Sequence, residues 1–487
     1  MTVPLSLATL PDLPPAIRGP SYARDDLSPG IVHIGLGNFH RAHQAWYLHQ
    51  LMDQGAAHDW AILGAGVRAP DAAMRERLLA QDCLSTLIEL DPAGISAEVT
   101  APMIDFLPVE PDNAALIRVM SDPAIRIVAL TVTEGGYYRR ADGALDDRHV
   151  DIRHDAGNPD TPRTAFGAIL AALRARRDAG HRPFTGLSCD NLQGNGAVLR
   201  QTVTGLARLS DPDLADWIEA EARFPNSMVD CIVPATGPRE LELVRALGIA
   251  DDAPVTHENF RQWVIEDDFC DGRPDWDRAG ATFSDRVHDY EVMKIRILNA
   301  GHQLLSNAGE LLGRETITDC MTDPLIASFF RRVQSEEIAP QVGAVPGMTP
   351  AAYAERIAER FANPRILDTV RRVAFDGSSR HPGFLLPMIR ERIAARRPVE
   401  GLALAEALWC RMCAGTREDG SAISSNDPHW EALARAALEA KARPASWLEQ
   451  EWVYGDLARE PRLAEPFGRW LRQIWTDGTG AALKAYV

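Results

Sequence analysis

Up to about residue 285 this chain alternates short β-branched or aliphatic runs with stretches of helical spacing, and beyond that point only helical spacing remains. That change of period constrains the fold more than any other feature. Ile31–Gly37 (I-V-H-I-G-L-G) reads as a first strand and turn, and His40–Gly55 as the helix after it. Trp60–Val67 is a second strand ending at a small-residue turn, and Asp71–Leu79 again has helical spacing. Ile125–Thr133 is strongly β-like and ends at Glu134-Gly135-Gly136; Phe184–Cys189 ends at Asp190-Asn191; Met228–Val233 is a further apolar run. Strands alternating with helices predict an α/β, Rossmann-like domain with a mainly parallel sheet. The later runs, such as 317–340, 349–364 and 383–398, are helical segments punctuated by Pro and Gly. The expected organisation is therefore a dinucleotide-binding domain over 1–285, opened by a proline-rich arm, and an all-helical domain over 286–487. No internal repeat is present.

Composition narrows the function. A formal charge of −17 over 487 residues argues against nonspecific binding to nucleic acid or an anionic membrane. The seven cysteines are sparse and odd in number, which predicts a reducing compartment and no disulfide framework. Cys410 and Cys413 form a lone C-x-x-C inside a helix-like run, so the expectation is core packing rather than zinc or redox chemistry. No secretory signal and no apolar run of membrane-spanning length are seen, which predicts a cytoplasmic protein.

Residues 290–302 read Y-E-V-M-K-I-R-I-L-N-A-G-H. At ~100° per residue, Glu291, Lys294, Asn299 and His302 fall within an arc of roughly 140° on an otherwise apolar helix. Two readings are open. The face is exposed and these are surface groups, or it is buried and the polar groups need partners such as a substrate rich in hydroxyls. In the second case burial could lower the lysine pKa and make it a base near neutral pH.

Gly35-Leu36-Gly37-Asn38-Phe39 follows the first strand and opens a helix, as a phosphate-binding turn does. It is an incomplete fingerprint, because His40 stands where a third glycine is usual. Arg41 is placed to pair with a phosphate. Asp71, after the second strand, is a candidate to hydrogen-bond the adenosine ribose and so favour NAD, or else a helix cap; Arg68 nearby leaves room for NADP. His40 and His43 have metal-like spacing, but no carboxylate pattern completes a site. Tyr290 and Lys294 mimic the Tyr/Lys pair of short-chain dehydrogenases, yet lie about 250 residues beyond the glycine turn and are read as a coincidence.

Taken together, G-L-G-N-F-H-R-A-H-Q, T-V-T-E-G-G-Y, S-C-D-N-L, F-P-N-S-M-V-D, F-R-Q-W-V-I-E-D, K-I-R-I-L-N-A-G-H and D-G-S-S-R resemble the mannitol 2-dehydrogenase family of polyol-specific long-chain dehydrogenases, in order from about residue 30 to 480. The resemblance implies reversible, metal-independent oxidation of one secondary alcohol of a sugar alcohol by NAD(P). It implies Lys294 as general base, Asn191 and Asn299 as donors to the developing alkoxide, His302 as a substrate-orienting group and Glu291 as a proton relay. It further implies substrate contacts from Asp230, Arg372 and Arg380. Cofactor contacts are expected from Gly35, Gly37, Asn38, Phe39, Arg41, Asp71 and Glu134. A monomer and a small-molecule polyol partner are also implied.

The chain departs from the family pattern at three places. Cys231 stands where V-D-R has arginine, Ala300-Gly301 replaces Gly-Ser, and Arg380 replaces lysine. T-E-G-G-Y resembles the mannitol enzymes, whereas some mannonate-acting members carry lysine at the position of Gly135. The expected activity is NAD-dependent oxidation of D-mannitol, D-arabinitol or D-sorbitol. The rival readings are a hexuronate reductase, with Arg372 or Arg380 receiving the carboxylate, and a non-catalytic NAD-binding sensor.

Overall fold

The computed structural model describes residues 2–140 and 143–487, with only the backbone of Glu134. These form two compact units, one running to His288 and the other spanning Asp289–Val487.

The first unit is built on five strands: β1 (Pro29–Ile34), β2 (Ala61–Ala65), β3 (Met103–Phe106), β4 (Ile127–Leu130) and β5 (Thr185–Ser188). Their order is β3-β2-β1-β4-β5, with every neighbouring pair parallel. Such a sheet is covered on both faces, so its central strands are buried on both sides rather than alternating between core and solvent. Every residue of β2, β4 and β5 is buried. Alternate residues serve opposite faces: Ile127 and Ala129 join one core with helix Gln44–Asp53, and Val128 and Leu130 join the other with helices Ala165–Asp178 and Asn195–Ser210. The chain leaves β1 toward one edge and then returns to build the other, so the carboxyl ends of β1 and β4 mark the crevice where open α/β sheets bind ligands.

Two smaller sheets were not legible in the periodicity. Ser85–Asp91 and Gly94–Thr100 form a hairpin, extended by Val255–Glu258 on the other side. The apolar run at 228–233 stops being a strand at Asp230; Ser227–Asp230 pairs antiparallel with Gln262–Ile265, apart from the parallel sheet. A local apolar run cannot report which sheet it will join, because pairing partners are distant in sequence.

The second unit holds no strand among its described residues, only isolated bridges. Helix Ala300–Leu311 runs through it and is buried at every residue except His302. Helices Ile317–Thr322, Pro324–Val333, Val370–Ala374 and Glu400–Cys413 pack around it. Cys410 and Cys413 are wholly enclosed in the last of these, and burial pushes both thiols up, so C-x-x-C is a packing feature. Among the described residues no helix is long and apolar enough to cross a membrane.

His33, in β1, is fully buried and bridges Gln44 and Thr131, each at 2.9 Å. Burial pushes its imidazole down to about 3, and that of His257 likewise, from an ordinary 6.5. Both stay neutral in the folded chain while the unfolded chain takes up protons near pH 6.5. The stability they confer is complete above that pH and is lost as pH falls toward 3. Thermal unfolding is therefore expected to show Tm falling through this window, and His33→Gln should flatten part of the fall. A Tm indifferent to acid in both proteins would refute the assignment.

Candidate active site

The segment that carries Lys294 is not a uniform α-helix. Val287–Met293 is α-helical, Lys294–Asn299 is a π-helical insertion, and Ala300–Leu311 is α-helical again. The Ala300 N–H reaches five residues back to the Ile295 carbonyl. The even 100° spacing read from the sequence therefore fails at Lys294, because a π turn holds more residues and shifts every later side chain around the axis. Such turns are uncommon and cluster at functional sites. Glu291 and Lys294 are 4% and 9% exposed, which removes the reading of a solvated surface pair. Asn299 and His302 are half-buried. The Tyr290 hydroxyl donates to the Pro346 carbonyl at 3.3 Å, a structural contact that fits the reading of Tyr290 and Lys294 as a coincidence.

His302 stacks on Phe361 with ring centroids 4.3 Å apart, and its Nε2 lies 3.8 Å from Asp368. Burial pushes its pKa down to about 4; Asp368 opposes this, while Arg372, Arg380 and Arg360 add to it. The ring is thus neutral at working pH, able to donate from one nitrogen and accept at the other. Asp368, nearly buried, takes Arg372 bidentately at 2.7 and 2.6 Å. Arg372 is otherwise exposed, but its charge is already matched. Arg380 is half-buried and donates to the Val373 carbonyl at 2.5 Å. The neighbouring His381 is wholly buried between Glu406 at 2.8 Å and Asn307 at 3.1 Å.

In the first unit the ends of β4 and β5 are clamped together by Asp190. Its carboxylate accepts from the backbone N–H of Val132 at 3.2 Å and Thr133 at 2.8 Å, and from the Tyr137 hydroxyl at 2.7 Å. Thr133 is held at φ +66°, a region that β-branched residues rarely occupy. Such strain persists only where surrounding bonds over-determine it, and it recurs at ligand sites. Asn195, fully buried, donates to the carbonyls of Ser188, Asp190 and Ser227 and so fixes the backbone beside Asn191. Asn191 itself is exposed at the end of β5. Asp230 is buried at the end of its strand, followed by the half-buried Cys231. Glu134 begins the 3-10 turn Glu134–Tyr137, but its side chain lies outside the described residues.

The glycine turn suits a nucleotide at the backbone level. Gly35 has φ +88°, and a Cβ there would lie 2.3 Å from the Thr131 carbonyl, so no other residue fits. A Cβ at Gly37 would meet nothing within 4 Å, which leaves the start of helix Asn38–Ala42 open to a close ligand. The side chains around it differ from expectation. Arg41 is 2% exposed and its guanidinium bonds Asn38, Ser85 and the Ala253 carbonyl. Asn38 in turn donates to Pro234 and Thr236, and Phe39 stacks on His43. Arg41 therefore braces the turn from beneath rather than presenting a charge to solvent. Asn38, Arg41, Val233, Pro234 and Thr236 border a groove of about 440 Å³. Asp71 is the first residue of its helix, and one carboxylate oxygen accepts from Val67 N at 3.1 Å and Arg68 N at 3.0 Å. His40 stacks on His33 at 3.5 Å, and among the described residues no three His, Cys, Asp or Glu side chains are arranged to hold a metal.

Asp190, Tyr137, Asn195 and Asp368 were not identifiable from spacing. Asp190 and Tyr137 meet across 53 positions, Asn195 works mainly through backbone carbonyls as far as Ser227, 32 positions on, and Asp368 lies against His302 from a distant segment; such contacts leave no periodic trace. The S-C-D-N motif did contain Asp190, one residue before Asn191.

The description "mannitol dehydrogenase Rossmann domain" matches residues 29–278, and "mannitol dehydrogenase C-terminal domain" matches 286–475. The chain is 56% identical to mannitol 2-dehydrogenase of Cereibacter sphaeroides over 472 residues, 97% of this chain and 99% of that one. Its structure resembles Pseudomonas fluorescens mannitol 2-dehydrogenase in ternary complex with NAD and D-mannitol, with a TM-score of 0.89, 38% identity and 99% of each chain covered. It also resembles a substrate-free D-sorbitol dehydrogenase, with a TM-score of 0.91, 36% identity and coverage of 98% and 100%.

Tyr137→Phe removes a buried hydrogen bond to the Asp190 carboxylate and another with the Ser188 hydroxyl, and is expected to cost about 1.5–3 kcal/mol of stability. Urea unfolding measures it; a change within error would mean that Asp190 does not depend on this donor.

Proposed function

The chain belongs to the mannitol dehydrogenase family, and we propose that it is an NAD-dependent, metal-independent polyol dehydrogenase. It oxidises one secondary alcohol of a sugar alcohol, D-mannitol to D-fructose or D-arabinitol or D-sorbitol likewise. The observation that carries this reading is the buried Lys294, set with Glu291 in a helix whose π-helical turn also bears Asn299. NAD, when bound, supplies the hydride acceptor. Lys294 in its neutral form takes the proton of the reacting hydroxyl, and the amide N–H groups of Asn191 and Asn299 donate to the oxygen as charge develops on it. The neutral His302 orients the substrate through a hydroxyl, and Glu291 passes the proton from Lys294 toward solvent. Asp230 and Arg380 are further substrate contacts.

A neutral polyol is favoured over a hexonate because Arg372 is already matched by Asp368, which leaves less positive charge for a substrate carboxylate. NAD is favoured over NADP by the carboxylate of Asp71, next to which a 2′-phosphate would be repelled. Gly35 and Gly37 admit the diphosphate, with backbone support from Asn38 and Phe39; Glu134 is a further candidate contact.

Initial rates of NADH formation at alkaline pH with D-mannitol, D-arabinitol, D-sorbitol and D-mannonate test the substrate class. Turnover of a polyol and none of D-mannonate is expected, and turnover of D-mannonate alone would overturn the reading. NAD should give the larger kcat/KM than NADP; equal values would remove the role of Asp71. Lys294→Ala should lower kcat by roughly 10²–10⁴ while cofactor still binds. Near-normal turnover would show that the base lies elsewhere.

A further inference from the structure

A π turn disturbs the i→i−4 ladder, and the carbonyls it displaces need other donors if they are buried. Ile297, in the middle of the Lys294–Asn299 turn, is fully buried. Its carbonyl shares the Ala300 N–H with Ile295 and, from outside the helix, accepts from the side-chain amide of Gln334, Nε2 to O 2.8 Å. Gln334 is 2% exposed and stands 37 positions along the chain, at the start of a second π-helical turn, Gln334–Ile338. The amide comes this close because residue 301 is glycine. A Cβ there would lie 2.9 Å from Gln334 Nε2 and 2.9 Å from the Phe330 ring. The family resemblance leads one to expect serine at that position. A serine hydroxyl in a helix bonds the carbonyl four residues back, which from 301 is Ile297. The bond a serine would make from within the helix is here made by Gln334 from outside it.

We propose that Gln334 is a positioning residue for the reaction: by capping the Ile297 carbonyl it holds the π turn that sets Lys294 and Asn299 in their relative places. This rests on the assignment of Lys294 and Asn299 given above. Gln334 touches no reacting atom, so its loss should change turnover rather than cofactor binding. A displacement near 1 Å at a catalytic group can cost as much as about 10²-fold in rate.

Gln334→Met keeps the length and removes the donor. With D-fructose and NADH it is expected to lower kcat roughly tenfold or more, with the Kd of NADH unchanged. Gln334→Glu can donate to the Ile297 carbonyl only while protonated. Its kcat relative to wild type should therefore rise as pH falls from about 8 to about 5.5, a profile that lost packing alone would not produce. Unchanged kcat in Gln334→Met, or a Gln334→Glu/wild-type ratio flat with pH, would overturn the proposal. A Gln334→Met protein that is folded by circular dichroism but has lost NADH binding would do the same. Wild-type turnover of a polyol together with its loss in Lys294→Ala keeps these outcomes separate from failure of the functional assignment itself.

Discussion

Burying ionisable side chains in an apolar helix is the constraint on which the second unit is organised. Glu291 and Lys294 lie within one turn of each other beneath the surface, on a helix that continues through the buried Leu304, Leu305 and Leu311. Charge in such a place costs several kcal/mol unless it is paired or held neutral. The surrounding structure is correspondingly dense in polar matches: Asp368 with Arg372, His381 with Glu406 and Asn307, Gln334 with the Ile297 carbonyl. These bonds rigidify the unit from inside. His302 is neutral because burial and three nearby arginines outweigh the single carboxylate beside it.

The first unit meets a different demand with the same means. A parallel sheet presents its strand ends to a ligand through loops, and loops are mobile unless tied. Asp190 ties the loop after β4 to the end of β5 through two backbone N–H groups and Tyr137. Asn195 ties the end of β5 to Ser227. The left-handed Thr133 is the visible cost of that arrangement. Arg41 supports the glycine turn from the protein side, so the open space at Gly37 is framed by backbone, as close approach of a diphosphate requires.

Much of this was open to sequence reading. Four of the five parallel strands appeared as short aliphatic runs, the edge strand Met103–Phe106 being missed; helix Asp71–Leu79 was bounded correctly, and the helical character of the second half followed from spacing and Pro/Gly punctuation. The hairpin Ser85–Thr100 and the antiparallel partner of Ser227–Asp230 did not appear, because pairing is a nonlocal choice. The π turn was invisible for a related reason. Nothing in K-I-R-I-L-N forbids an ordinary α-helix; the extra residue per turn is stabilised by Gln334, which the chain brings in only after it has folded back.

The amino-acid sequence by itself determined which residue types stand together: a glycine turn after an aliphatic strand, a lysine and an asparagine in one helix, an aspartate and an asparagine after another strand. Local sterics and hydrophobic periodicity are sufficient for that, since both act over a few residues. Only the tertiary structure decided which of those groups are enclosed, which are already matched and which face is offset from which. Arg41 became a brace and His302 a neutral ring because desolvation and partner choice depend on contacts between segments tens to hundreds of residues apart.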